Sequence, residues 1–146
     1  MRNARSAHGF AVSILILLLF TLHLPFASAE VINGNVEIRP GNLNLCSNGR
    51  TIRALVTLPD AYLVDAIDLS TIMWNETIPA QGYAFVGNGL LLTFDRQQVI
   101  NNLIFNDAST VIISGDYGDS DTFSATVTLN TIVRGNPANC TAVIDL

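Results

Sequence analysis

From residue 30 onward, apolar and polar positions mostly alternate in runs of three to eight residues, which is the period of a half-buried β-strand. Val36-Glu37-Ile38 alternates and stops at Pro40-Gly41, a turn pair. Thr51 to Leu58 reads as a strand with Ile52, Ala54, Val56 and Leu58 on its core face and Thr51, Arg53, Leu55 and Thr57 on the other. Pro59-Asp60 ends it, and Ile72-Met73-Trp74 follows as a short strand. Tyr83–Val86 and Leu90–Phe94 flank Gly87-Asn88-Gly89 and read as a hairpin. Thr110–Ser114 and Phe123–Leu129 flank the polar stretch Gly115–Thr122 and read as a second hairpin. Thr131–Val133 and Thr141–Ile144 are candidate last strands.

One segment departs from this period. Between Asp95 and Ile104 the apolar residues fall at 99, 100, 103 and 104, the spacing of one helical face, with Asp95 placed as an N-cap. The pattern therefore predicts an all-β fold: an Ig-like β-sandwich of antiparallel strands with one short helix.

The first residues follow another rule. Arg2 and Arg5 precede an apolar block, Phe10 to Phe26, which exits through Ala27-Ser28-Ala29 before Glu30. That is the layout of a secretory signal peptide over residues 1–29. The block is also at the lower limit for a bilayer span, so retention as an anchor is the alternative; the small-residue exit favours cleavage. The remainder, residues 30–146 and about 120 residues long, suits a single extracellular domain. No second apolar run is long enough to span a bilayer.

Cleavage changes the available chemistry. Both histidines, His8 and His23, lie in the leader, and the chain has no lysine. The mature chain holds five arginines against twelve acidic residues, a net charge of 5 − 12 = −7. Such a charge repels phosphate backbones and argues against nucleic-acid binding. Ser–His, Cys–His and Ser–Lys nucleophile pairs lack their base. Cys46 and Cys140 are the only cysteines. An even pair in an exported protein reads first as a disulfide, here a staple between the two ends of the domain; two buried thiols are the alternative. Two cysteines without histidine do not make a zinc site.

Several residues along the chain resemble the opening and middle of a β-sandwich accessory module of secreted bacterial and archaeal proteins. They are Val36-Glu37-Ile38-Arg39-Pro40-Gly41, like that module's Ile-Lys-Pro-Gly turn, then Asn44, Gly49 and the Ile52–Leu58 strand. Val64–Ile72, Leu91–Gln97 and Val111–Gly115 follow in the same order, so the likeness covers about residues 36–133. The resemblance implies a non-enzymatic accessory role and carries over no catalytic residue. Related modules often place an Asp-rich, calcium-type turn before the Leu-rich strand, where this chain has Gly82–Gly89 and no carboxylate.

The remaining candidate chemistry rests on small clusters. Asp60, Asp65 and Asp68 are candidates for a carboxylate pair, as in a hydrolase, although turn and cap chemistry is the simpler reading. Asp116, Asp119 and Asp121 have the hard oxygen donors calcium favours, without EF-hand spacing; a solvated hairpin turn is the first reading and calcium the alternative. Trp74, Tyr62, Tyr83 and Tyr117 are candidates for a sugar-stacking surface, with a core role the first reading for Trp74. Asn75-Glu76-Thr77 and Asn139-Cys140-Thr141 match the N-glycosylation pattern, the second in competition with a bridge at Cys140. The expectation is a secreted, non-enzymatic structural or binding module at the cell surface or in the extracellular space, whose partner is a protein or a cell-surface polymer. The alternatives are a self-assembling surface subunit that donates Glu30–Val36 to a neighbour's sheet, a carbohydrate-binding module, and a carboxylate-dependent hydrolase.

Overall fold

The computed structural model describes residues 28–103, 108–135 and 140. The leader expected over residues 1–29 lies outside the described residues apart from Ser28 and Ala29. So do Ile104 of the expected helix, Asn139, and the expected Thr141–Ile144 strand. The described strands are β1 (Val31–Arg39), β2 (Asn42–Asn44), β3 (Thr51–Thr57), β4 (Met73–Trp74), β5 (Ile78–Pro79), β6 (Gly82–Val86), β7 (Gly89–Asp95), β8 (Ala108–Tyr117) and β9 (Asp121–Ile132). A 3-10 turn, Val64–Ala66, lies between β3 and β4, and one helix, α1 (Arg96–Asn102), follows β7. No described helix is long and apolar enough to cross a membrane.

The fold is all-β with one helix, but the strands form one curled path in the order β5-β4-β8-β9-β1-β3-β7-β6, with β2 also on β9. The centre of that path is β1, which changes partner halfway. Val31–Gly34 run parallel to Thr122–Ala125 of β9, and Asn35–Arg39 run antiparallel to Thr57–Arg53 of β3. A Cβ at Gly34 would lie 3.1 Å from both the Thr57 carbonyl and the Leu58 side chain, so the changeover passes through a residue without one. β2 is likewise parallel to β9. The expectation of wholly antiparallel pairing is corrected at these two places. Alternation reports which face of a strand is buried and carries no information about the direction of a partner distant in sequence.

The two arms close over a common core. Ile52, Ala54 and Val56 of β3, Leu90, Leu92 and Phe94 of β7, Val111 and Ile113 of β8, and Phe123, Ala125 and Leu129 of β9 are all buried. The β3 face is the one its alternation predicts. Trp74 on β4 and Phe94 on β7 belong to opposite arms and meet edge to face, ring centroids 5.3 Å apart.

The β6–β7 hairpin turns through Gly87-Asn88, with Gly87 at φ 57°, the positive φ that a two-residue turn needs at its first central position. The β8–β9 hairpin is longer than expected: Tyr117 pairs with Asp121, and the turn contracts to Gly118–Ser120. Most of the expected Gly115–Thr122 loop is therefore strand. A Cβ at Gly115 would sit 2.9 Å from the Phe123 ring, so this glycine gives an inward aromatic its room rather than breaking the strand.

Helix α1 starts where expected, with the Asp95 carboxylate accepting from the Gln98 N–H at 2.9 Å. It buries Val99 and Ile100. Arg96 is buried as well, which the apolar spacing did not predict. Its Nη2 donates to the Asn44 carbonyl at 2.6 Å, and burial holds its pKa below the ordinary value. Asn44 also ties the chain ends together: its Oδ1 accepts from the N–H groups of Cys46 and Arg134, each at 3.1 Å, and its Nδ2 donates to the Arg134 carbonyl. Beside it Cys46 and Cys140 form the disulfide, closing a separation of 94 residues. On the chain-entropy argument this bridge stabilises the fold by about 4–5 kcal/mol. Equilibrium denaturant unfolding of the oxidised protein and of the Cys46→Ala/Cys140→Ala variant should differ by that order, with the variant the less stable.

A candidate binding groove along an open sheet edge

The two ends of the strand path differ. β5 is two residues long and includes Pro79, so little of it is available for pairing. β6 is five residues, Gly-Tyr-Ala-Phe-Val, with no charge and no proline, and among the described residues it has a partner on one side only. The register pairs Tyr83 with Leu92 and Phe85 with Leu90, so these residues share the inward face of the sheet. Leu90 and Leu92 are fully buried, whereas Tyr83 is 58% and Phe85 51% exposed. The inward face thus runs out past the opposite arm and ends in two aromatic rings, 6.1 Å apart and inclined at 68°.

Backbone valence follows from the same register. A two-residue turn makes Val86 and Gly89 a hydrogen-bonded pair, and every second pair after it is bonded in the same way. Ala84 therefore bonds to β7. The N–H and C=O groups of Tyr83 and Phe85 face the open edge.

Beside Phe85 lies an open groove of about 780 Å³, bordered across from it by Leu58, Tyr62, Leu63 and Val64 and rimmed by Asp60 and Asp65. Leu63 is 68% exposed. A smaller hollow of about 530 Å³ lies beside Tyr83, against Leu69, Gln81 and Leu92. The far wall of the groove is part of the long connection from β3 to β4, and it is fastened to β8 and to Glu30. Tyr62 stacks edge-on against Tyr117 at 5.7 Å, and the Leu63 N–H donates to the Tyr117 hydroxyl at 3.1 Å. The Gly118 N–H donates to the Ala66 carbonyl at 3.0 Å. The Tyr62 hydroxyl donates to Glu30 Oε1 at 3.0 Å, and that bond to a carboxylate raises the Tyr62 pKa.

The residues singled out from the sequence are not brought into one centre. Asp60 and Asp65 share the groove rim. Asp68 is taken up in a turn: its Oδ1 accepts from the Ser70 hydroxyl at 2.7 Å and the Ser70 N–H at 2.9 Å. Asp116 lies within β8, Asp119 in the hairpin turn, and Asp121 within β9, where its Oδ1 accepts from the Glu30 N–H at 2.9 Å. Among the described residues no group of three His, Cys, Asp or Glu is arranged to hold a metal ion. Trp74 is wholly buried, with an indole N–H that has no partner among the described residues, so it is a core residue and not part of an exposed stacking surface. Tyr62 and Tyr117 pair with each other, while Tyr83 pairs with Phe85. Asn75 is half-buried at φ 47° in the turn between β4 and β5, and its Oδ1 accepts from the Ile112 N–H at 2.8 Å.

Leu63 and Phe85 were missed as surface residues. The sequence reads Tyr83–Val86 as a hairpin strand, and its unbroken apolar run does not say which face is exposed; the ending of the described strand path at β6 decides that. Comparison with known protein families, curated proteins and solved structures finds no match to this chain.

The Asp68 turn has a checkable titration. The side-chain bond from Ser70, and then its backbone bond, hold the Asp68 carboxyl below its ordinary value of 3.8. A depressed carboxylate pKa makes its contribution to stability above the unfolded value, and that contribution fades as pH falls through the folded value. Carbon-detected NMR titration should place Asp68 below 3.8, and Ser70→Ala should move it upward.

Proposed function

We propose that the mature chain is a secreted, non-enzymatic binding module, and that it captures an extended segment of a protein partner as an added strand on β6. The carrying observation is the open β6 edge, with exposed Phe85 beside a groove of mixed apolar and acidic lining and exposed Tyr83 beside a smaller hollow. Strand addition uses unpaired backbone groups for affinity and pockets beneath alternate side chains for specificity, and this edge offers both. The partner segment is apolar at alternate positions and carries a basic residue at one end, complementary to Asp60 and Asp65 on the rim and to the acidic mature chain. The leader pattern and the Cys46–Cys140 bridge support an oxidising, extracellular setting. On this reading the two arms of the curled sheet act as the leaves of a β-sandwich, in keeping with the resemblance to accessory modules of secreted proteins.

The other binding classes fit less well. Sugar rings stack on exposed aromatic faces, whereas Tyr83 and Phe85 are inclined at 68° and Trp74 is buried. Donation of Glu30–Val36 to a neighbour would open the centre of the donor's own sheet, because Val31–Gly34 pair with β9 and the following residues with β3.

The probe is a synthetic hexapeptide alternating valine and threonine behind two lysines. Amide hydrogen exchange by NMR should show Tyr83 and Phe85 exchanging freely in the unbound protein and protected with the peptide. Phe85→Lys should weaken peptide binding by about tenfold or more, the scale of losing one aromatic anchor. Protection elsewhere with Tyr83 and Phe85 unchanged, or equal binding by Phe85→Lys, overturns the reading.

A further inference from the structure

A second feature stands on its own at the start of β1. Glu30 is fixed at three points: its N–H donates to Asp121 Oδ1 at 2.9 Å, its carbonyl accepts from the Thr122 N–H at 3.0 Å, and its carboxylate accepts from the Tyr62 hydroxyl at 3.0 Å. Ser28, Ala29 and Glu30 are exposed and lie before the first strand. Ala29-Glu30 is also the junction at which the leader pattern places cleavage. Neither the Glu30 nor the Asp121 carboxylate forms an ion pair among the described residues, where the pair formed is Arg39–Glu37.

We propose that leader removal creates an electrostatic latch: hydrolysis of the Ala29–Glu30 bond leaves an α-ammonium on Glu30 that ion-pairs with Asp121 and locks the start of β1 onto β9. The reaction consumes one water and yields a carboxylate on Ala29 and the ammonium on Glu30, with an envelope leader peptidase as the catalyst. Before cleavage the Glu30 nitrogen is a neutral amide and the contact with Asp121 is a single hydrogen bond to a carboxylate. After cleavage the same nitrogen carries a full charge at the same distance, and a charge-assisted bond is the stronger kind. The new cation also meets a site that two carboxylates have made negative.

The latch reaches the groove. The residue held by Asp121 is the one whose carboxylate holds Tyr62, and Tyr62 forms the far wall together with Leu63. Processing at the domain's first residue thus braces a surface contributed by the β3–β4 connection. The inference rests on the leader reading and is independent of what β6 binds.

The groups facing the amine are the Asp121 carboxylate, the Glu30 carboxylate, the Tyr62 hydroxyl and, behind it, Tyr117. An α-amine titrates near 7.7–8.0 in an unfolded chain, and a carboxylate partner raises that value in the folded protein. Its contribution to stability is therefore complete below the unfolded value and is lost as pH rises through the folded one.

Two measurements test the latch. N-terminal sequencing of the protein exported from the full-length chain should read Glu30 first, and any other first residue overturns the proposal. NMR titration of the α-amine in the protein beginning at Glu30 should give a value above 8. Asp121→Asn should return it toward the unfolded range, and an unchanged titration in that variant overturns the proposal. The melting temperature of the Glu30 protein should fall by about 2–5 °C more between pH 7 and 10 than that of its Nα-acetylated form, which has no charge to lose. Parallel pH profiles of the two forms likewise overturn it. Peptide protection of Tyr83 and Phe85 is read separately, so failure of the latch and failure of strand capture are distinguishable.

Discussion

The structure depends on the divided loyalty of β1. Its first four residues pair with β9 and the next five with β3, and Gly34 stands where the two neighbours crowd the strand from both sides. A strand shared in this way joins two arms by backbone hydrogen bonds along one continuous path. Because a twisted sheet of this many strands curls, the arms fold toward each other, and the apolar faces of β3 and β7 meet those of β8, β9 and β4. The contact of Trp74 with Phe94 is where that closure is most plainly seen. Glu30, immediately before β1, is bonded to Asp121 and Thr122 of β9, so this contact acts directly on the entry to the central strand.

The same curl decides where the molecule is open. A path with two ends has two edges, and here one end is short and stopped by Pro79 while the other, β6, is left long and uncharged. Inward-facing positions remain buried only as far as the opposite arm extends. Leu90 and Leu92 lie inside that limit, and Phe85 and Tyr83, one strand further out, lie beyond it. The groove lies beside this exposed end of the inward face, with residues of the β3–β4 connection among its lining.

Much of the local structure was legible in the residues themselves. The Ile52–Val56 alternation, the Gly87-Asn88 turn and the Asp95 cap all act through neighbours a few positions away, and each falls where its chemistry places it. The failures share one cause. Gly115 reads as a loop residue until the Phe123 ring is seen filling the space beside it. Arg96 reads as exposed until the Asn44 carbonyl from β2 is seen beneath it. The parallel pairing of β1 with β9 joins residues some ninety positions apart, and nothing in either segment specifies the direction of its partner. Asp116, Asp119 and Asp121 look like a cluster in sequence, but the hairpin distributes them between two strands and a turn, and Asp121 is drawn to Glu30.

The sequence by itself determined an all-β domain with one capped helix, because strand alternation and capping depend on near neighbours. It also determined which side chains are present after residue 29: no imidazole, no ammonium side chain, and a large excess of carboxylates. The tertiary structure alone decided which apolar residues stay in water, which carboxylates gain a partner, and which strand ends the sheet. Those outcomes depend on how far one arm overlaps the other and on which distant segments β1 brings together, and both are properties of the closed sheet rather than of any stretch of chain.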